Sequence, residues 1–204
     1  MVRHRMRAAF TRPMPAHVTL RVCAGVPSLR TVPIVREIER TFAKGCSRPG
    51  FRLVHYSLQG NHAHLVVEAQ DQAALGCGMK AIGVRLARAV NRVTGRTGPV
   101  LAERYHHHVL RTPREVRNAL RYVLLNARHH LAKQLRRART EAVRLDPASS
   151  ARFFDGWKGE PLRTGHGDGM EPSADSPPVA RARTWLLTVG WRRRGLLDPA
   201  DVPG

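Results

Sequence analysis

The sequence predicts an α+β fold: a ferredoxin-like or RRM-like antiparallel sheet with helices packed on one face, an extra C-terminal helix and a mostly irregular tail. Three observations carry this. Hydrophobic periodicity switches between 2 and 3.6 in the order β-α-β-β-α-β-α. A tight "QGN" turn joins two strand-like runs into a hairpin. Two long amphipathic stripes, each with a terminus signal, mark the later helices.

Element by element, "HVTLRV" (17–22) alternates as a strand does. In "VPIVREIERTFAKG", Pro33 suits a first helical position, Ile34, Val35, Ile38 and Phe42 line one face, and Gly45 can end the helix. Residues 51–58 and 62–69 are the paired strands of the hairpin. From Asp71, Leu75, Met79, Ile82, Leu86, Val90 and Val93 form one long apolar stripe that stops before Gly95, with Lys80, Arg85, Arg88 and Arg92 off it. Residues 99–110 return to an extended pattern. Thr112, Pro113 and Glu115 then spell a capping box, because a Thr hydroxyl and a Glu carboxylate three residues on can satisfy each other's backbone N–H. The helix they open should run to about Lys133, with Val116, Ala119, Leu120, Val123, Ala127 and Leu131 facing the core. Tyr122 and Asn126, one turn apart, share one border of that stripe; Arg114, Arg117, Arg121 and Arg128 line the other.

This gives a basic N-terminal arm (1–16), one domain (17–140), and a linker with a C-terminal tail (141–204). The tail opens on a Gly/Pro/Ser/Asp-rich stretch and closes on "RARTWLLTVGWRRRGLLD". Cys23, Cys46 and Cys77 are odd in number and widely spaced, which fits neither a disulfide framework nor a zinc ribbon. The absence of a signal-like segment or a membrane-length apolar run points to a cytoplasmic protein.

Charge narrows the partners. The chain has 35 Lys+Arg against 15 Asp+Glu, all but four of the cations arginine. Residues 1–140 carry 26 basic and 6 acidic residues and 141–204 carry 9 of each, so the whole excess lies in the first part. A folded segment this basic repels itself unless it meets a polyanion, nucleic acid first and an anionic membrane surface second.

The residues that could do chemistry begin with "GNHAHLVVE". Alternate strand residues share a face, so His62 and His64 project together and can chelate a cation if a third ligand comes from elsewhere. Spacing alone leaves a solvent-facing role open, and "YHHHV" sets His106 and His108 in the same relation. On the last helix Tyr122 offers a phenolic nucleophile and Asn126 a carbonyl oxygen as ligand, although an anchoring tyrosine and an exposed asparagine fit the pattern as well. Other motifs are weaker. "HVTL" is half of a two-histidine phosphoesterase signature whose second half is missing. "GCGMKA" mimics a dinucleotide fingerprint, yet Gly76 and Gly78 fall inside a helical stripe.

Together "YSLQGNHAHLVVEA" and "RTPREVRNALRYVLLNA" resemble the single-tyrosine HUH transposases, specifically the REP-associated tyrosine transposases of the insertion-sequence-200-like family. His62, Ala63 and His64 match the His-hydrophobic-His element, whereas the middle histidine of "YHHHV" does not. Tyr122 and Asn126 fall where that family has its nucleophile and the polar residue completing its metal site. The resemblance spans roughly residues 18–130 and leaves the tail uncovered. It implies a metal-dependent endonuclease and strand transferase acting on single-stranded DNA beside hairpins of palindromic repeats, through a 5′-phosphotyrosine intermediate. It further implies Mg²⁺ or Mn²⁺ at His62, His64 and Asn126, and a monomer or homodimer. Arg85, Arg88, Arg92, Arg114, Arg117 and Arg121 are the candidates for gripping DNA. The rival reading is a non-catalytic RRM-like nucleic-acid binder, which would need neither metal nor Tyr122 but wants an aromatic platform that the strands lack.

Overall fold

The computed structural model describes residues 10–134, 145–159 and 176–201, with side chains between 127 and 134 excepted. Residues 1–9 of the arm, the side chains of Ala127, Arg128 and Leu131, and 160–175 of the linker lie outside the described residues.

Five strands and three long helices follow in order: β1 (Met14–Arg21), α1 (Val32–Ala43), β2 (Ser47–Arg48), β3 (Phe51–Leu58), β4 (His62–Ala69), α2 (Gln72–Thr94), β5 (His106–Val109) and α3 (Pro113–Gln134). The sheet order is β2-β3-β4-β1-β5 with every pairing antiparallel. The fold is therefore the α+β architecture the sequence predicts. The two-residue β2 is an addition too short to leave a periodic signal, and β5 is shorter than the extended segment around it.

Local chemistry sets the boundaries. Asp71 caps α2 by accepting from the Ala74 backbone N–H at 2.7 Å, and Gly95 ends it in the left-handed conformation, φ 64°. The capping box of α3 is formed: the Thr112 hydroxyl accepts from the Glu115 N–H at 3.2 Å, and the Glu115 carboxylate accepts from the Thr112 N–H at 2.9 Å. Gly78 is a packing residue, because a Cβ there would stand 2.1 Å from the Phe51 ring. Its absence lets α2 lie close on the sheet, which is why a fingerprint-like run sits mid-helix.

Strand alternation divides the sheet into two faces. Ala16, Val18 and Leu20 of β1, Phe51, Leu53, Tyr56 and Leu58 of β3, and Ala63, Leu65 and Val67 of β4 pack under α1 and α2 in the larger core. A bulge in β3 between Leu53 and His55 lets Val54 join the opposite face while Leu53 and Tyr56 stay on the first. On that opposite face Val54 and Val66 meet Val116, Ala119, Leu120, Val123 and Leu124 of α3. The extra helix thus covers the side of the sheet that α1 and α2 leave open.

The tail completes this second core. Ala151, Phe154, Trp157, Leu187, Trp191 and Leu197 are buried with α3, carried by short 3₁₀ turns at Ser150–Phe153 and Trp191–Arg194 and a π-helical turn at Leu186–Gly190. Polar contacts fix it: Arg30 pairs with both Asp146 oxygens at 2.9 and 2.8 Å, and buried Glu39 accepts from Tyr56 Oη at 2.6 Å and from Arg152 at 2.8 Å. Glu68 accepts from the Arg183 and Thr184 backbone N–H groups. The Leu58 N–H donates to Ala148 O and the Ala180 N–H to Leu53 O, so the tail also covers the β3 edge beyond the short β2. Cys23, Cys46 and Cys77 are free thiols. Among the described residues no helix is long and apolar enough to cross a membrane.

Candidate active site

The site lies on the sheet face beneath α3. β4 supplies His62 and His64, β1 beside it supplies His17 and Thr19, and α3 lays Tyr122 across them. The register decides the neighbours: Thr19 pairs with His64 and Arg21 with His62, so the polar alternate residues of the two strands share one face.

The distances are short. His62 Nε2 lies 3.0 Å from His64 Nε2, and Tyr122 Oη lies 3.4 Å from the same His64 nitrogen. Ring centroids of His64 and Tyr122 are 4.9 Å apart, edge to face. Behind them, His64 Nδ1 is 3.3 Å from both Thr19 Oγ1 and His17 Nε2. His62 Nδ1 is 2.7 Å from Asn61 Oδ1, and since a carbonyl oxygen only accepts, that ring nitrogen carries the hydrogen. The other ring nitrogen, Nε2, faces His64.

Asn126, one turn beyond Tyr122 on α3, is 1% exposed, and neither its Oδ1 nor its Nδ2 has a hydrogen-bond partner among the described residues. A buried amide with both ends unpartnered costs about 1–3 kcal/mol. Asn126 is thus no exposed border residue; α3 carries it inward at that cost. The donor set of His62, His64 and Asn126 fits a divalent cation. Two imidazoles by themselves favour zinc-like ions, and a neutral amide oxygen with the remaining positions left to phosphate and water would make Mg²⁺ or Mn²⁺ acceptable. Among the described residues no cluster of three or more His, Cys, Asp or Glu side chains is placed to bind a metal.

His17 is held neutral: burial first, and the nearby His108 second, push its pKa down to about 4. A neutral imidazole behind His64 adds no repulsion toward a cation in front. Sequence reasoning set His17 and Thr19 aside as half of an unrelated signature. Their signal is the His-x-Thr alternation, readable only once β1 is known to neighbour β4.

The other candidates separate. His106 and His108 sit exposed on the edge strand β5, beside Glu103 at 3.4 Å and Glu115 at 3.7 Å. Tyr56 is fully buried on the opposite face and Tyr105 packs half-buried against the larger core. Arg85 and Arg92 belong to α2, across the sheet from Tyr122; Arg85 donates to Thr41 O and Arg92 pairs with Glu37. Arg88 and Arg114 are exposed, Arg121 is half-buried, and Arg117 donates to the tail carbonyls of Gly195 and Leu196 at 3.1 and 3.2 Å. The six arginines therefore divide between the two sides of the sheet.

No family model and no curated protein matches the chain. Solved structures similar to it include the following two. A REP-associated tyrosine transposase bound to a REP hairpin matches with 16% identity over 64% of this chain and 74% of its own, at a TM-score of 0.49. A transposase-like protein from Deinococcus radiodurans, described only as a putative transposase, matches with 12% identity over 64% and 97%, at a TM-score of 0.41.

Proposed function

We propose that the chain is an HUH-type tyrosine transposase, a metal-dependent endonuclease and strand transferase for single-stranded DNA at hairpins. The observation that supports this best is the convergence on His64 Nε2 of His62 Nε2, 3.0 Å away, and Tyr122 Oη, 3.4 Å away, with the unpartnered Asn126 amide one turn behind the tyrosine. A sheet face closed over by a helix and a tail weighs against the RRM-like binder, which needs its strands open to bases.

In this reading His62, His64 and Asn126 hold Mg²⁺ or Mn²⁺, which when bound polarises the scissile phosphodiester. Tyr122 supplies the nucleophile from the helix directly above. Its phenolic oxygen bonds to phosphorus, the 3′ oxygen leaves as a free hydroxyl, and the 5′ phosphate stays on the tyrosine as an ester. Attack by another 3′ hydroxyl reverses the step and joins strands without an external energy source. Asn61 and the Thr19–His17 pair orient the two imidazoles, and Tyr122 packed edge-on against His17 and His64 keeps its hydroxyl over the site.

The test is to incubate the full chain with a library of single-stranded hairpins in Mg²⁺ or Mn²⁺ and sequence any DNA left covalently attached. A tyrosine-linked 5′ end at a defined distance from a hairpin is expected. Metal-independent binding with no adduct on any hairpin would overturn the reading.

A further inference from the structure

Of the three tryptophans, Trp157 and Trp191 are buried in the second core, whereas Trp185 is 48% exposed. A single exposed aromatic is ordinary; the surroundings of this one are not. Its ring lies against the backbone of Gly190, where a Cβ would stand 2.7 Å from the indole, so the π-helical turn fixes the ring in place. The Arg193 guanidinium sits 5.1 Å from the ring centroid. Arg192 is engaged by Asp155, but Arg193 and Arg194 are exposed and have no carboxylate partner among the described residues.

The tail's balance of charge conceals this patch. Residues 176–201 hold five arginines (181, 183, 192, 193, 194) and two aspartates (198, 201), a local excess of three positive charges. The patch also flanks the helix that carries the nucleophile: Arg117, five residues before Tyr122 on α3, donates to the carbonyls of Gly195 and Leu196.

We infer that Trp185 and Arg193 form a binding site for single-stranded DNA, in which an unpaired base stacks on the indole and the adjacent guanidiniums take its phosphates. A fixed, half-exposed ring offers a π face to any base, and the flexible Arg193 can turn from the ring to a phosphate as the base arrives. The excess positive charge selects a polyanion over an apolar partner. The site rests on the reading above only in its choice of DNA as the ligand; it would hold the single-stranded flank of a substrate whose scissile phosphate lies at Tyr122.

Stacking has its own signal, because Trp185 is the one tryptophan open to solvent and a stacked base quenches its emission. Titrating the metal-free full chain with a short oligothymidine, about twelve nucleotides and free of hairpins, should quench tryptophan fluorescence. Trp185→Phe should abolish the quenching yet bind a labelled oligomer nearly as well. Trp185→Ala should weaken binding roughly 5- to 100-fold, as removal of a stacking aromatic does, and Arg193→Gln a few-fold. Unchanged emission at saturation, equal quenching by a duplex of the same length, or parent-like affinity in Trp185→Ala would each overturn the site. Covalent adduct without quenching sinks the stacking site alone. Quenching without adduct on any hairpin supports the site and sinks the transposase reading.

Discussion

The two faces of the sheet are made from the same strands and put to opposite uses. Under α1 and α2, β1, β3 and β4 present almost only apolar side chains, and the one buried hydroxyl, Tyr56 Oη, is matched by Glu39. Under α3, the alternate residues of the same strands include His17, Thr19, His55, His62, His64 and Glu68, and the helix adds Tyr122 and Asn126. Among the described residues, β1, β3 and β4 bury no unmatched polar side chain on this first face, although the helices above them bury Arg36 Nε, Gln72 Oε1 and Asn91 Oδ1 without a partner. The second keeps an unpartnered amide and two imidazole nitrogens 3.0 Å apart, and meets much of its remaining apolar need with residues from the tail. In the reading proposed above, the first side serves stability alone and the second serves stability and chemistry together.

Substitutions on the two sides should therefore fail differently. Phe42→Ala, in the first core, should cost about 3–5 kcal/mol, read as a lower denaturant midpoint, while protein that remains folded still forms adduct. Tyr122→Phe should do the reverse, eliminating the covalent adduct while moving stability by less than about 0.5 kcal/mol, as surface-type changes do. An adduct persisting in Tyr122→Phe, or located by mass spectrometry on Tyr56 or Tyr105, would remove Tyr122 from its role. Next in size, His64→Ala should abolish metal-dependent cleavage and leave hairpin binding, with its salt dependence, largely intact. His106→Ala on the edge strand should leave cleavage as it was; if these two results are exchanged, the metal site is the other histidine pair.

The apolar face was almost wholly legible in the sequence. Ile34, Val35, Ile38 and Phe42, and the stripe of Leu75, Met79, Ile82, Leu86 and Val90, are buried where a period of 3.6 places them, and only Val93 drifts to the surface at the end of α2. Periodicity shows which residues share a face of one element, but not which strand lies next to which. Thr19 behind His64 depends on the β1–β4 register, a contact between residues 45 apart in the chain. The tail misled for a related reason: "WLLTVGW" is too short to display a period, and its tryptophans find their core only against α3. Its composition reads as linker, although Trp191 is 1% exposed.

Asn126 sharpens the contrast between the faces. If its amide is kept inward for a ligand, a residue of similar size without polar atoms should suit the metal-free fold better. Asn126→Leu is expected to raise stability without metal by about 1 kcal/mol, a melting shift of about 2–4 °C for a chain of this length, and to lower adduct yield less than His64→Ala does. Water can replace a neutral oxygen ligand more readily than an imidazole fixed on a strand. A melting temperature that falls would mean that the amide is already satisfied in the fold.

The last contrast is a loss of stability in mild acid, confined to the second face. His55 lies there, buried, with Nδ1 3.1 Å from Ser150 Oγ and its ring edge-to-face with Phe154 of the tail. Burial pushes its pKa down to about 4, and the opposing pull of Asp155 is the lesser influence. Above pH ~6.5 the imidazole is neutral whether the chain is folded or not, and its contribution is constant. As pH falls from there toward 4, the unfolded chain takes up a proton that the folded chain refuses, so stability declines by up to about 1.4 kcal/mol per pH unit; below the folded value both forms are charged and the decline stops. His17, shifted in the same direction to about 4, adds a second slope over the same window. The carboxylates lowered by their partners, Glu37 by Arg40 and Glu115 by the backbone N–H groups of Arg111 and Thr112, lose their contribution only below the ordinary carboxylate range, so pH 6.5 to 5 isolates the histidines. Denaturant midpoints of the metal-free chain across that interval should fall, and His55→Gln, which keeps a polar group without the titration, should remove about half of the slope. A slope unchanged by His55→Gln would show that the imidazole against the tail stays as accessible to protons in the folded chain as in the unfolded one.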